Sequence, residues 1–299
     1  MKFILSFICL TTFLLFGCTP DNNPNITTDE LAVDDFYIQS YHGMYGQNGN
    51  SLFLNTNGDN LVKFEYDAQN RIIFRIGDIV HISGGGGYLH DSLYTEVTYE
   101  NDKATLTKKI HPFGGLSQVR ANYQTITFDS RNRMVQKINF LEHNNPEEID
   151  TTRFTYLDNK LVKYRKTYTD APDYLDYSLS FFIESDLYYT YGNLDSIVTI
   201  KTRKFSDEPY IIIAGKEVEI FSQYDTAKNP FRKLSMFDET FYRSLSKNNY
   251  TDYRKIVIPY YYPDSDYTQP GYYGPRQETE FQTWSFAYDA EGEWIYDEL

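Results

Sequence analysis

The chain is 299 residues long with a formal net charge of -14, its 42 acidic side chains outnumbering 28 basic ones. That excess is repelled by phosphate backbones and anionic lipid surfaces, and no basic stripe offsets it, so nucleic acid is not expected as a partner. With 29 tyrosines and 21 phenylalanines the composition favours strands, because aromatic rings fit a pleated, half-buried surface.

The first element is an apolar run from Phe3 to Phe16, preceded by Lys2 and followed by Gly17 and Cys18. It falls short of the roughly 20 apolar residues of a membrane-crossing helix and stands where a signal peptide belongs. Leu15-Phe16-Gly17-Cys18 resembles a bacterial lipobox. The resemblance implies removal of residues 1–17 as a lipoprotein signal peptide and lipid attachment at Cys18. The non-acidic Thr19 beside it points to the outer membrane. Cys9 leaves with the signal and Cys18 carries the lipid, so no disulfide is expected. Residues 18–33, which include Thr19-Pro20-Asp21-Asn22-Asn23-Pro24-Asn25, have almost nothing to bury and read as a flexible tether. Residues 34–299 read as a single β-meander domain, monomeric in expectation.

Within that domain a hairpin pattern recurs. Leu61-Val62-Lys63-Phe64-Glu65-Tyr66-Asp67 is followed by Ala68-Gln69-Asn70-Arg71 and then Ile72-Ile73-Phe74-Arg75-Ile76. The same order returns as Ile126-Thr127-Phe128-Asp129, Ser130-Arg131-Asn132-Arg133 and Met134-Val135-Gln136-Lys137-Ile138. Asparagine and aspartate close such turns because they tolerate positive φ and bond their own backbone. The aromatic before each turn stands at 66, 99, 128, 156, 191, 224 and 288, a period of about 30 residues with one unit interrupted before the last. Two strands per unit predict an all-β fold, a curved antiparallel meander of repeated β-hairpins. Partial closure into a barrel is open at this level.

The interruption begins at Lys228-Asn229-Pro230-Phe231, after which Leu234, Phe237, Phe241 and Leu245 recur at spacings of three to four. That period predicts one inserted amphipathic helix over about 232–247, with Asn248 and Asn249 ending it. The tyrosine–aspartate hairpins resemble YD or RHS-type repeats. Together with Tyr224-Asp225, Asn229-Pro230-Phe231 and Leu245-Ser246-Lys247-Asn248-Asn249, their order resembles an uncharacterised family of Bacteroidota-type lipoproteins described as having a porin-like fold. The resemblance implies a strongly curved sheet and a lipid anchor, and no activity. It does not imply a pore, because Lys63, Glu65, Arg75, Lys163 and Lys201 stand on strands where a lipid-facing barrel needs an apolar band.

Little in the sequence points to chemistry. His42, His81, His90, His111 and His143 have no paired spacing, so no metal site is expected. Gly84 to Gly87 reads as a loop, since no lysine–serine pair follows it. Asp170, Asp173 and Asp176 sit in a polar stretch able at most to hold calcium weakly. Asp67, Asp129, Asp158, Asp225 and Asp289 are assigned to turns, so no catalytic residue, cofactor or enzyme activity is expected. The candidate ligand surface is Tyr260, Tyr261, Tyr262, Tyr267, Tyr272 and Tyr273, set among Pro263, Asp264, Asp266 and Pro270. Such rings either stack on sugars or cover an open sheet end against edge pairing. The chain is therefore expected to be a lipid-anchored envelope protein, either a glycan- or nutrient-capturing interaction module or a structural component.

Overall fold

The computed structural model describes residues 35–37, 61–82, 86–110, 123–140, 149–170, 179–238, 240–283, 285–288 and 294–295. The signal peptide, Cys18, the tether, His42, His111, His143, Asp173 and Asp176 lie outside these residues. Of the glycine run, Gly86 and Gly87 open a strand, where a loop was expected.

The strands, in chain order, are β1 Asp35–Tyr37, β2 Leu61–Tyr66, β3 Ile72–Ile82, β4 Gly86–Glu100, β5 Lys103–Ile110, β6 Tyr123–Phe128 and β7 Met134–Phe140. They continue as β8 Ile149–Leu157, β9 Lys160–Asp170, β10 Leu179–Thr190, β11 Asn193–Phe205, β12 Ile212–Tyr224, β13 Tyr250–Tyr261, β14 Tyr272–Tyr273 and β15 Gln277–Thr283. Each pairs antiparallel with the next from β1 to β14, while β15 extends the outer edge of β13. This is the meander that the repeats predict. Among the described residues the sheet is open, for no ladder returns to β1. A separate pair, β16 Ala287–Tyr288 with β17 Trp294–Ile295, carries Tyr288 of the last degenerate repeat, whose Asp289 lies outside the described residues.

The turns follow from their residues. Asp67 Oδ1 accepts hydrogen bonds from the Gln69 and Arg71 amides, both at 2.9 Å, and Asn70 adopts φ 59°. Asp129 repeats this with Arg131 and Arg133 at 2.9 and 3.0 Å, and Asn132 at φ 57°. The β10–β11 turn instead uses Tyr191 and Gly192, both at positive φ, as a two-residue hairpin loop requires. This changes the repeat register, because Tyr191 is 96% exposed in the turn itself. The packed aromatic of that unit is Tyr189, which joins Tyr66, Tyr99, Phe128, Tyr156 and Tyr224 against the core.

In the β2–β3, β6–β7, β8–β9 and β10–β11 hairpins the register shifts by one residue just inside the turn. A bulge adds twist and bends the strand, and its recurrence at one end of the sheet gives the sheet its curl. The curl closes on the segment between β12 and β13. Phe237 of that segment meets Phe64 of β2 at 5.6 Å, Phe241 meets Phe154 of β8 at 5.8 Å, and Tyr242 meets Phe221 of β12 at 5.7 Å. The insert is therefore a plug wrapped by its own sheet.

The expected helical insert is present but broken. Pro230–Leu234 is a 3-10 turn, and the helix proper, α1, is only Phe241–Ser244. Local polar side chains take the backbone groups that a longer helix needs. The Thr240 hydroxyl donates to the Leu234 carbonyl at 2.7 Å, and that of Ser244 to Phe241 at 2.6 Å. Buried Lys137 of β7 draws on the Met236 carbonyl at 3.1 Å and the Asp238 carboxylate at 2.6 Å. The residues that carried the family resemblance are the plug's clamp. Asn229 receives the Phe231 amide at 2.9 Å and donates to the carbonyls of Arg243 and Ser246 at 2.6 and 2.8 Å. Ser246 accepts the Leu194 amide at 3.0 Å, and Asn248 exchanges bonds with Asn193.

Under and beside the plug, the concave face also carries polar side chains. Arg75, Lys137, Thr152, Lys166, Ser185, Thr199, Glu219 and Lys255 are all buried there. Of Lys63, Glu65, Arg75, Lys163 and Lys201, two point inward: Arg75 is 3% exposed, and Lys201 faces Glu217 at 2.6 Å. Their strand positions share a parity with the core residues. The convex face is polar too, with cross-strand pairs Lys163–Asp186 and Arg165–Glu184, each at 3.3 Å. It presents charge where a lipid-facing strand needs hydrocarbon. No helix among the described residues is long and apolar enough to cross a membrane.

Candidate functional site

Three places bring polar or aromatic side chains together. The first is the tyrosine segment. β13 runs past the body of the sheet, and β14 folds back on it with Tyr260 opposite Tyr273 and Tyr261 opposite Tyr272. The result is a two-stranded ribbon. Alternation along β13 puts Tyr260 and Tyr262 on one face and Tyr261 on the other. Tyr260 meets Tyr262 at 5.1 Å and Tyr273 at 4.8 Å, both edge to face, and Tyr262 meets Tyr267 at 5.1 Å. On the opposite face Tyr261 and Tyr272 lie 5.8 Å apart. Tyr261, Tyr272 and Tyr273 are 44%, 60% and 45% exposed, whereas Tyr262 is half-buried and its hydroxyl accepts the Ile213 amide at 2.7 Å. All six candidate tyrosines thus gather on one ribbon, divided between its two faces.

Glycine makes the ribbon possible. A side chain at Gly271 would overlap the Tyr260 ring and the Tyr261 carbonyl, and one at Gly274 would overlap the Tyr261 ring. The connection is held by a turn in which Asp266 Oδ1 accepts the Thr268 amide and hydroxyl at 2.9 and 2.6 Å. Those bonds hold the Asp266 carboxyl below its ordinary range.

The second place is a buried network under the plug. Glu219 of β12 receives the Tyr253 hydroxyl at 2.8 Å and that of Tyr242 at 3.5 Å; the Tyr242 and Tyr164 hydroxyls lie 3.0 Å apart. Burial pushes the Glu219 carboxyl up, against the pull of the Tyr253 hydrogen bond and the Lys255 charge. Burial likewise pushes the Tyr164 and Tyr242 phenols up, so the hydroxyls stay protonated and able to donate. The network joins β9, β12 and β13 to α1, which suits cohesion.

The third place is a cleft of about 540 Å³ between the β2–β3, β4–β5 and β6–β7 turns and the plug's first turn. Turn residues, the aromatics Tyr66, Tyr99 and Phe128, and plug residues 232, 233, 235 and 236 line it. Its wall is stiffened by a link between repeats that sequence reading missed. The Arg71 guanidinium, held by Asp67 at 2.7 Å, lies 4.3 Å from the Tyr99 ring centre, and the Tyr99 hydroxyl donates to the Ile72 carbonyl at 3.0 Å. Arg133, Tyr156 and the Met134 carbonyl repeat the arrangement one hairpin pair later, at 4.6 and 2.9 Å. Burial raises the Tyr99 phenol to about 12, so it remains a donor at neutral pH. An arginine four residues after Asp67 and again after Asp129 was the signal available.

Among the described residues no group of three or more metal-ligating side chains occurs. No protein-family model matches the chain, and no curated protein matches it significantly. Among solved structures it is similar to a porin-like protein from Bacteroides vulgatus ATCC 8482, at 13% identity and a TM-score of 0.38, over 72% of this chain and 86% of that one.

Proposed function

We propose that this chain is a binding module of the bacterial envelope, anchored to the outer membrane through lipidated Cys18, that captures saccharides on its tyrosine ribbon without transforming them. The observation that carries the reading is the exposed pair Tyr261 and Tyr272, backed by Tyr273 on the other face. Flat rings fixed on a short ribbon suit stacking against the apolar faces of sugars, at about 0.5–1.5 kcal/mol per well-placed ring, so each contact is weak. The charge ladders of the convex face fit a domain held outside the bilayer.

The test is titration of oligosaccharides into the Cys18→Ala protein, followed by tyrosine fluorescence and NMR line broadening. Binding near millimolar that Tyr261→Ala/Tyr272→Ala abolishes supports capture. Failure of every neutral glycan to perturb the ribbon removes it. A scaffolding role is the second reading, favoured by the sheet's closure on its own plug; it predicts that ribbon variants leave ligand uptake unchanged and alter envelope integrity instead.

A further inference from the structure

We infer that the cleft between the repeat turns and the plug is a separate binding site for an anionic sugar unit, a sugar acid or sugar phosphate. The inference does not rest on the ribbon, which lies at the opposite end of β13.

The chain as a whole is strongly acidic, yet this cleft gathers Arg71, Lys103, Arg232 and Lys233 against Asp102 and Asp129. Asp129 is already committed: it accepts two loop amides and the Arg133 guanidinium, whose Nε stands 2.8 Å away. Arg71 is likewise held by Asp67. Lys103 and Arg232 are exposed at the cleft. Lys233 is the unusual group, because its Nζ is shut off from solvent and has no hydrogen-bond partner among the described residues. An ammonium in that position has lost its hydration without gaining an acceptor, which costs free energy unless an anion arrives. Its four-carbon stem lets it turn toward one.

The other lining groups define the rest of the ligand. Asn70, Asn101 and Asn132 all contribute to the lining, and all three take positive φ in their turns. Carboxamides both donate and accept, as sugar hydroxyls require. Tyr66, Tyr99 and Phe128 supply apolar ring surface, and about 540 Å³ is within the usual range of small-molecule sites. Cations, carboxamides and rings together match a charged sugar better than a bare anion or a neutral one.

The experiment is calorimetric titration of the Cys18→Ala full chain with glucuronate, glucose 6-phosphate, inorganic phosphate and glucose. The expected result is binding of one or both charged sugars that weakens with added salt, with inorganic phosphate and glucose at least tenfold weaker. The two charged sugars separate the acid from the phosphate source. Lys233→Met keeps the stem and removes the charge. It should weaken the charged sugar at least tenfold while the melting temperature of the free protein stays level or rises, since the lost ammonium had no partner. Tyr261→Ala/Tyr272→Ala should leave this binding unchanged, which separates the cleft from the ribbon. Glucose binding as tightly as the charged sugars, phosphate alone matching sugar phosphate, no binding at all, or full affinity in the Lys233→Met protein would overturn the proposal.

Discussion

Tyrosine does opposite work at the two ends of the sheet. At the turn end Tyr99 and Tyr156 lie under a neighbouring arginine, and each donates its hydroxyl to a backbone carbonyl of the preceding hairpin. At the far end of β13, Tyr261 and Tyr272 present their rings to solvent. One residue type thus serves as mortar where it has a partner hydrogen bond and a covering cation, and as surface where it has neither. The difference separates a structural edge from a candidate binding edge.

The largest effect should come from the plug that the turn end encloses. Asn229→Ala removes three hydrogen bonds from a 5% exposed position and leaves two carbonyls and an amide without their partner. Each buried unmet group costs about 1–3 kcal/mol, so a loss of about 3 kcal/mol is expected in denaturant unfolding. A loss below about 1 kcal/mol would mean the plug does not bear the sheet.

The tyrosine contrast itself is testable by removing only hydroxyls. Tyr156→Phe should cost about 1–1.5 kcal/mol, because its carbonyl partner belongs to buried Met134, while Tyr272→Phe should change stability by less than about 0.5 kcal/mol. Equal effects would erase the distinction between the two ends. Asp67→Ala opens a turn by removing its amide acceptor, with about 0.5–2 kcal/mol expected, as for a lost cap. Although burial opposes it, the backbone and guanidinium bonds from Arg71 and the Gln69 amide hold the Asp67 carboxyl below its usual value of 3.8. The stabilisation is therefore present above that value and is lost as pH falls through the lowered one.

Glu219 works in the other direction. Its carboxyl is raised above 4.5 in the folded chain, so the folded state binds more protons than the unfolded state, and its contribution falls as pH rises from about 4.5 through the raised value. Glu219→Gln should flatten that decline and raise the melting temperature at pH 7 by about 2 °C, read from thermal scans at several pH values. A steeper decline in the variant would reverse the assignment.

Sequence alone was enough for the meander of hairpins and for the Asp67 and Asp129 turns, because alternation and Asp–Asn chemistry act within a few residues. Asp67 and Asp129 close their loops on groups two and four residues away, and no distant contact is needed to foresee that. The clustering of six tyrosines on one segment was legible for the same reason, although which of them face outward was not. The break in the insert was illegible: apolar spacing predicted one helix, and the competing donor, Lys137, lies about a hundred residues from the insert along the chain. The Tyr189 register, the recurrent bulges, the inward turn of Arg75 and the assembly of the cleft from three turns and the plug were likewise decided by tertiary structure. Each depends on which strand lies beside which and in what register. Neighbour chemistry along the chain determines how a hairpin closes; only the folded sheet determines what that hairpin faces.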